Sequence, residues 1–224
     1  MRFEDKRGPH GSPAASKTRR GGAGGPRRSG GPRDSRGPRP PRPPAEERLS
    51  RFLAYVLRHH PEEVGLTLDE RGAVDLDALA AALQAQGDHE SVTRDALVAL
   101  ATTGGAAQRF EITGNLIRAR YGHSFAQAIQ YEPAEPPEFL FHGTAPSGAE
   151  QIVAEGLKAG ERQRVHLSID TPAAREVGRR RCPDPVIFRV DTAAARQAGI
   201  QFYRAGPAVW LSDDIPPAYL TRVE

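Results

Sequence analysis

A change of composition near residue 44 confines any compact fold of this chain to its last 180 residues. Residues 1–44 contain nine glycines, nine prolines and very few apolar side chains, so they cannot bury enough surface to offset the entropy lost on ordering. They also contain ten arginines and two lysines against three acidic residues, a net charge of +9, which leaves −6 for the rest of a chain whose total is +3. We expect a disordered basic tail over 1–44. The sequence leaves open whether this tail adds nonspecific contacts to RNA or only keeps the protein in solution.

Bulk features of the chain exclude several classes of protein. No apolar run approaches the about 18 residues that a membrane helix needs, and no hydrophobic segment follows the N-terminus as in a secretion signal. The single cysteine, Cys182, excludes an internal disulfide and a zinc site built from cysteines. The chain also lacks a P-loop, a Gly-x-Gly-x-x-Gly turn after a strand, a Gly-x-Ser-x-Gly elbow, and histidines spaced as His-x₃-His or His-Glu-x-x-His. We therefore expect a cytoplasmic protein with no membrane partner and no metal.

The first half of the folded part has the pattern of three helices followed by a hairpin. The pattern predicts a helix that starts near Ala45 and ends before Pro61, two short strands around a turn at 69–72, helices over 76–83 and 96–101, and a hairpin over 108–124. Asp75 or Asp77 is expected to cap the second helix, and Thr93 the third. This order is typical of a winged-helix module, a common nucleic-acid-binding shape, which we predict over 45–130.

A second domain is predicted after an acidic, proline-rich linker over 131–137. The pattern there predicts a strand ending at His142-Gly143-Thr144, a helix over 149–157, a strand over 165–168, a helix capped by Thr171, a strand over 186–191, and short strands over 202–204 and 208–212. Many short strands with few small helices favour a split α+β sandwich over 138–224.

Arginines and histidines to which the motifs assign no acidic partner recur in both halves. They are Arg58, His59, Arg109, His123, His142, Arg162 and His166. Because guanidinium forks bind phosphate oxygens and an imidazole can move a proton, this set favours phosphate chemistry without a metal. Simpler interpretations stay open at this point. Arg58 and His59 suit the dipole at a helix end, Arg118 and Arg120 suit a solvated hairpin, and 162–168 suits a half-buried strand after a basic loop.

In seven segments the sequence resembles the NAD-dependent RNA 2′-phosphotransferases, the KptA family. The segments lie in the family's order, and the resemblance covers about residues 47–224. The basic tail lies outside it. The matching segments are Leu49–His59, Gly65–Gly72, Gln108–Phe110, Ile117–Ser124, Phe141–Thr144, Val165–Ser168 and Ala208–Leu211.

The resemblance implies an N-terminal winged-helix lobe that binds RNA and a C-terminal ADP-ribosyltransferase-like lobe that binds NAD. It places the family's catalytic set on Arg58, His59, Arg109 and Arg162. From it we expect NAD contacts at His142, Gly143, Thr144, His166, Leu167, Ser168, Arg179 and Val209, and RNA contacts at Arg118, Arg120, His123 and Ser124. Val209 stands where many ADP-ribosyltransferases have a glutamate. A phosphate nucleophile is already an anion, so it needs no carboxylate to deprotonate it.

The reaction that the resemblance implies is a transfer in two steps. The RNA 2′-phosphate attacks ribose C1″ of NAD and expels nicotinamide; the ribose 2″-hydroxyl then attacks that phosphate, which releases 2′-hydroxyl RNA and ADP-ribose 1″,2″-cyclic phosphate. We expect the three arginines to bind the phosphate and His59 to protonate the leaving RNA oxygen, although its role stays open. Two alternatives are a transferase that ADP-ribosylates terminal phosphates of nucleic acids and a non-catalytic winged-helix binding protein. A monomer is expected, and the sequence does not identify the physiological RNA.

Overall fold

Helices and strands alternate through most of the folded part of the chain. The computed structural model describes residues 44–87, 92–103 and 109–223, so nearly all of the predicted tail lies outside the described residues, as does Gln108. The helices are α1 (Ala45–Arg58), α2 (Leu76–Gln84), α3 (Arg94–Thr102), α4 (Pro146–Glu155), α5 (Thr171–Arg179) and α6 (Thr192–Gln197). The strands are β1 (Ala73–Asp75), β2 (Phe110–Thr113), β3 (Leu116–Ala119), β4 (Phe139–Thr144), β5 (Val165–Ser168), β6 (Val186–Asp191), β7 (Phe202–Arg204), β8 (Val209–Ser212) and β9 (Leu220–Arg222). None of the described helices has the length and apolar character that a membrane crossing requires.

The amino-terminal lobe, from α1 to β3, packs three helices against a small antiparallel sheet in the order β1-β3-β2. The apolar stripe of α1 supplies Leu53 and Leu57 to a core that also contains Leu79, Leu97 and Ile117, all fully buried. The predicted caps of α2 and α3 are confirmed. The Asp75 side chain accepts hydrogen bonds from two backbone N–H groups of α2, and Thr93 accepts one from α3.

Two strands are predicted around the turn at 69–72, and the prediction of the first one is wrong. β1 follows the turn, but Gly65–Leu68 has no regular structure. The Asp69 carboxylate accepts from the N–H groups of Arg71 at 2.9 Å and Ala73 at 2.8 Å, which tightens the turn locally. β1 pairs instead with β3, with Val74 opposite Ile117, so no second strand is needed to complete its ladder.

The carboxy-terminal lobe, from β4 to β9, contains a six-stranded antiparallel sheet in the order β7-β8-β5-β4-β6-β9. β4 and β6 pair over six residues, whereas the register between β4 and β5 contains one pair, Phe141 with Ser168. The sheet therefore consists of two well-paired halves that meet at a narrow contact. α5 lies against β4, and its cap is Asp170 rather than the predicted Thr171, because the Asp170 carboxylate accepts from the N–H of Ala173 at 2.8 Å.

Candidate active site

The end of α1 presents two of the predicted catalytic residues, Arg58 and His59. A segment that follows the hairpin, residues 121–131, holds both and is called the bridging segment here. Within it the N–H of Ser124 donates to the Arg58 carbonyl at 3.0 Å, and the Ser124 hydroxyl is hydrogen-bonded to His59 Nδ1 at 2.7 Å. The Arg58 guanidinium carbon lies 5.0 Å from the centre of the Tyr121 ring, a cation–π contact. At φ +92°, Gly122 takes a left-handed conformation beside the Arg58 side chain, where a Cβ would lie 3.4 Å from Cδ. The bridging segment thus fixes the direction of both side chains.

The Arg58 guanidinium has buried donors without a partner. Its Nε and one Nη atom are buried and make no hydrogen bond to the protein. Burial lowers the pKa of Arg58 from its ordinary value; the Tyr121 phenol opposes this, and the charges of Arg109 and Arg162 lower the pKa further. A buried cation with unused N–H groups favours an anionic ligand.

The three predicted catalytic arginines come from distant parts of the chain and act on one another electrostatically. Arg109, just before β2, donates from Nη1 to the buried hydroxyl of Ser50 at 3.0 Å. Arg162, just before β5, has a lowered pKa because of partial desolvation, with further lowering from Arg181. Within residues 44–87, 92–103 and 109–223, no carboxylate forms an ion pair with any of these three arginines or Arg181, so the cluster keeps its full positive charge.

His59 lies among these cations. Desolvation lowers its pKa most, followed by the charges of Arg58, His60 and Arg162. The contact with Ser124 uses Nδ1, which leaves Nε2 for another partner. The imidazole is therefore neutral near pH 7 and lies next to a strongly cationic surface.

His142 and His166 flank the narrow contact between β4 and β5. Each ring must carry a proton on Nδ1, because His142 donates from that atom to the His166 carbonyl at 2.9 Å and His166 donates to the Arg164 carbonyl at 3.0 Å. Burial, reinforced by the charge of Arg162, lowers the pKa of His166 to about 3. Burial also lowers the pKa of His142. His166 Nε2 is thus a lone-pair acceptor, and it is buried without a partner. Such an atom fits a ligand whose hydroxyl group donates a hydrogen bond.

Tyr121 joins this pair to the arginine cluster. Its ring lies edge-on to His166, with 5.9 Å between ring centres, and beneath the Arg58 guanidinium. The charges of Arg58 and Arg162 both act on His166. The structure therefore brings the predicted phosphate-binding residues and the two histidines of the sheet contact into one region.

The residues expected to contact RNA take positions that differ from one another. Arg118 and Arg120 share the Glu111 carboxylate, at 2.6 Å and 3.2 Å, and their side chains are 28 and 29% exposed. They line a cavity of about 440 Å³ together with Tyr131 and Arg204. Both arginines are thus paired with an acidic side chain on the same hairpin.

His123 is buried rather than at the expected surface position, whereas Ser124 is exposed. His123 is 2% exposed, and its Nδ1 is hydrogen-bonded to the Tyr131 hydroxyl at 2.9 Å, so its ring does not face solvent. Burial lowers its pKa to about 4. The Ser124 hydroxyl is used by His59. The alternation of the hairpin places both residues just beyond its last strand, where the chain turns back toward α1.

The remaining residues expected to contact NAD lie on or beside β4, β5 and β8. Leu167 is 2% exposed and faces the core, so only its backbone is available to a ligand. Ser168 is 8% exposed and pairs with both Phe141 and Val209. Gly143 has a packing role of its own, since a Cβ there would lie 2.1 Å from the Ala174 carbonyl of α5. Thr144 ends β4 and is half-buried.

Several residues near the cluster escape prediction from the sequence. Arg179 is exposed at the end of α5, but the charges that lower the pKa of Arg162 come from Arg181 and Arg180. Tyr121 lies inside a matching segment without being singled out. Ser50, the partner of Arg109, is 59 residues away from it in the chain. A run of three exposed arginines at the end of a helix does not reveal which of their charges act on Arg162.

Comparison with known proteins identifies the family. The family model described as RNA 2′-phosphotransferase, Tpt1 / KptA family, matches residues 44–214. A probable RNA 2′-phosphotransferase of Hahella chejuensis is 42% identical over 177 residues, which cover 78% of this chain and 93% of that protein. One from Agrobacterium fabrum is 42% identical over 174 residues, covering 77% and 91%, and one from Thermococcus kodakarensis is 39% identical over 175 residues, covering 78% and 96%. The chain therefore belongs to the RNA 2′-phosphotransferase, Tpt1/KptA family.

Proposed function

We propose that this chain is an RNA 2′-phosphotransferase that removes a 2′-phosphate from RNA and transfers it to NAD. The observation that carries the proposal is the set of three arginines without acidic partners in the described residues, one with buried unused donors, beside two neutral, half-buried histidines. The first part suits a phosphate dianion, and the second suits a sugar hydroxyl.

The domain boundaries and fold names belong to the same proposal. Residues 45–130 would be a winged-helix RNA-binding lobe, 131–137 a linker and 138–224 an ADP-ribosyltransferase-like lobe. The element order α1-β1-α2-α3-β2-β3 supports the first. The narrow contact between the two halves of the larger sheet supports the ADP-ribosyltransferase-like lobe. At this contact β4 and β5 share only one register pair, and His142 and His166 lie beside it.

Arg58, Arg109 and Arg162 would bind the 2′-phosphate and stabilise the charge that develops on it. While no anion is bound, the positive charges repel one another, and this repulsion raises the free energy of the charged Arg58 side chain. The lowered pKa of Arg58 indicates this. An incoming dianion relieves this repulsion and receives N–H donors that are already in place.

His59 would move the proton at the RNA 2′-oxygen. Its neutral state at pH 7 follows from desolvation and neighbouring cations, which lower its pKa. A bound phosphate dianion would raise the pKa of the imidazole again, since an opposite charge nearby favours the protonated form. His59 could then protonate the leaving oxygen from Nε2, while Ser124 holds Nδ1.

NAD would be held by the carboxy-terminal lobe. When bound, it supplies the ribose carbon and the 2″-hydroxyl that successively accept the phosphate. His166 Nε2 would accept a hydrogen bond from a ribose hydroxyl, with His142, Thr144 and Ser168 close by and Val209 beside them. Arg179 stays a proposed pyrophosphate contact, and we add Arg181 because its charge acts on both His142 and Arg162.

The test is an assay with a 2′-phosphorylated RNA, NAD and matched arginine variants. The wild-type chain is expected to yield 2′-hydroxyl RNA, nicotinamide and a cyclic phosphate of ADP-ribose. Arg162→Gln is expected to lower kcat by at least about 100-fold and to accumulate ADP-ribosylated RNA, because charge stabilisation on the phosphate is lost. Arg164→Gln is the control. Its side chain donates to Asp213 at 2.7 Å, so it should lose at most about 1 kcal/mol of stability and keep its activity.

Two outcomes would contradict the proposal. Wild-type protein that leaves the 2′-phosphate on RNA would exclude it. A stable ADP-ribosylated nucleic acid as the final wild-type product would favour a transferase that acts on terminal phosphates.

A further inference from the structure

Gln163 stands between two arginines and ties the start of β5 to the bridging segment. Its side-chain amide donates from Nε2 to the carbonyls of Phe125 at 2.9 Å and Gln127 at 2.7 Å, and its Oε1 accepts from the N–H of Ile129 at 2.8 Å. Its own N–H donates to the His123 carbonyl at 3.1 Å. One residue therefore satisfies four backbone groups of a segment that has no regular ladder of its own.

The bridging segment also holds the other half of the site. Ser124 lies within the stretch that Gln163 grips, and it bonds to the Arg58 carbonyl and to His59. A continuous path of hydrogen bonds and short chain segments thus runs from His59 through Ser124 to Gln163. Arg162 is the residue next to Gln163, so the two halves of the cationic cluster share one support.

Arg162 has little else to fix its position. It lies three residues before β5 and two after Gly160. Gly160 has a φ of +65°, and no atom lies within 4 Å of the position that a Cβ would take there. Its N–H donates to the Ala159 carbonyl at a long 3.3 Å, and its guanidinium has no ion pair with a carboxylate in the described part of the chain. Placement of its backbone must therefore come mainly from the neighbouring residue.

We propose that Gln163 is a positioning residue, which sets Arg162 against Arg58 and His59 by clamping the bridging segment. The inference rests on the proposed function, because it gives Gln163 a role in that reaction through Arg162. Without the amide, two carbonyls and one N–H of the bridging segment lose their partners, and both sides of the cluster become free to shift.

The test compares Gln163→Ala with Gln127→Ala in the assay described above. Gln127 is an exposed glutamine of the same segment; its Nε2 makes one bond, to the Asp69 carbonyl at 3.1 Å, and Gln127→Ala keeps the carbonyl that Gln163 uses. Gln163→Ala is expected to lower kcat about 10- to 100-fold, since a displacement of about 1 Å in a positioning group can have that effect. KM for NAD should stay within about twofold, because His142 and His166 are held by bonds that do not involve Gln163. Gln127→Ala should match the wild type.

A double substitution separates positioning from a general loss of structure. If Gln163 acts through Arg162, its substitution should have little further effect once Arg162 is replaced. The kcat of the double variant Gln163→Ala/Arg162→Gln should therefore be less than about threefold below that of Arg162→Gln alone. Equal losses in both backgrounds would overturn the inference, as would wild-type kcat in Gln163→Ala. Should Gln163→Ala fail to fold, Gln163→Met keeps the side-chain length and gives the same comparison. An inactive wild-type chain would instead remove the proposed function, and this inference with it.

Discussion

Arg162 and Arg164 are two positions apart and chemically identical, yet their surroundings differ completely. Arg164 donates to Asp213 and lies 4.9 Å from the centre of the Tyr203 ring. Arg162 acts on Arg58, His59 and His166 instead. The resemblance to a family selects Arg162, the one whose charge acts on the other predicted site residues. Local pattern alone cannot, because Asp213 lies 49 residues away. The same limit applies to Arg118 and Arg120, whose pairing with Glu111 depends on the register of a hairpin.

His123 should make the protein less stable in acid. Its folded-state pKa is about 4 against an ordinary 6.5, mainly because of burial, with Arg58 and Arg118 adding to the effect. Below about pH 6.5 the unfolded chain therefore binds a proton that the folded chain does not, and stability falls as the pH falls toward 4. The loss across this window is about 3 kcal/mol. Urea unfolding between pH 7 and 4.5 should show a shallower pH slope for His123→Leu.

Tyr131→Phe is the control for the acid prediction. It removes the hydroxyl that bonds to His123 but leaves the imidazole buried. It should lower stability by about 1 kcal/mol at neutral pH and keep the wild-type slope. Identical slopes for wild type and His123→Leu would show that this histidine does not govern the response.

At the scale of elements, Gly143 lies where β4 packs closely against α5. A Cβ there would lie 2.1 Å from the Ala174 carbonyl, a backbone atom that cannot rotate away. Gly143→Ala should therefore separate α5 from the sheet and cost at least about 2 kcal/mol. Gly148→Ala, within α4, would meet only the Thr144 hydroxyl at 2.8 Å and gains helix propensity of up to about 1 kcal/mol. Urea midpoints of the two variants measure the difference; equal midpoints would contradict the packing argument.

Elements whose cause is local are predicted well from the sequence, and those whose cause is distant are not. Asp75 and Thr93 cap their helices as expected because each bonds to residues two or three positions ahead. The strand expected at Gly65–Leu68 fails, since β1 takes its partner from the hairpin more than 40 residues later. Strand order in the larger sheet, and the narrow contact between β4 and β5, also depend on pairings that no local pattern contains.

At the scale of the whole molecule, the sequence predicts a division at 131–137 but not how the two halves are joined. All of the bridging segment except its last residue falls within the predicted RNA-binding lobe, yet Gln163 of the other lobe binds it through four hydrogen bonds. Residues of both lobes, His59 and Gln163, thus bond to one irregular stretch. Composition marks where a chain changes character, but an irregular segment held by a distant amide leaves no periodic signal.

The arginine cluster should make stability of the whole molecule depend on phosphate. A ligand that binds only the folded state adds RT ln(1 + [L]/Kd), about 1.4 kcal/mol at ten times Kd, or about 4 °C in Tm for a domain of this size. Inorganic phosphate should therefore raise the Tm of the wild type above that in chloride of equal ionic strength. Arg58→Met keeps the volume of the buried stem and removes one of three clustered charges. Its Tm without phosphate should therefore equal or exceed that of the wild type, and the rise of its Tm in phosphate should be at least halved.

The control is Arg196→Gln, which removes an exposed arginine paired with Glu135 at 2.9 Å and should respond to phosphate as the wild type does. Because all three proteins share the basic residues 1–44, the contribution of those residues cancels, and equal responses of Arg58→Met and wild type would place the phosphate site elsewhere.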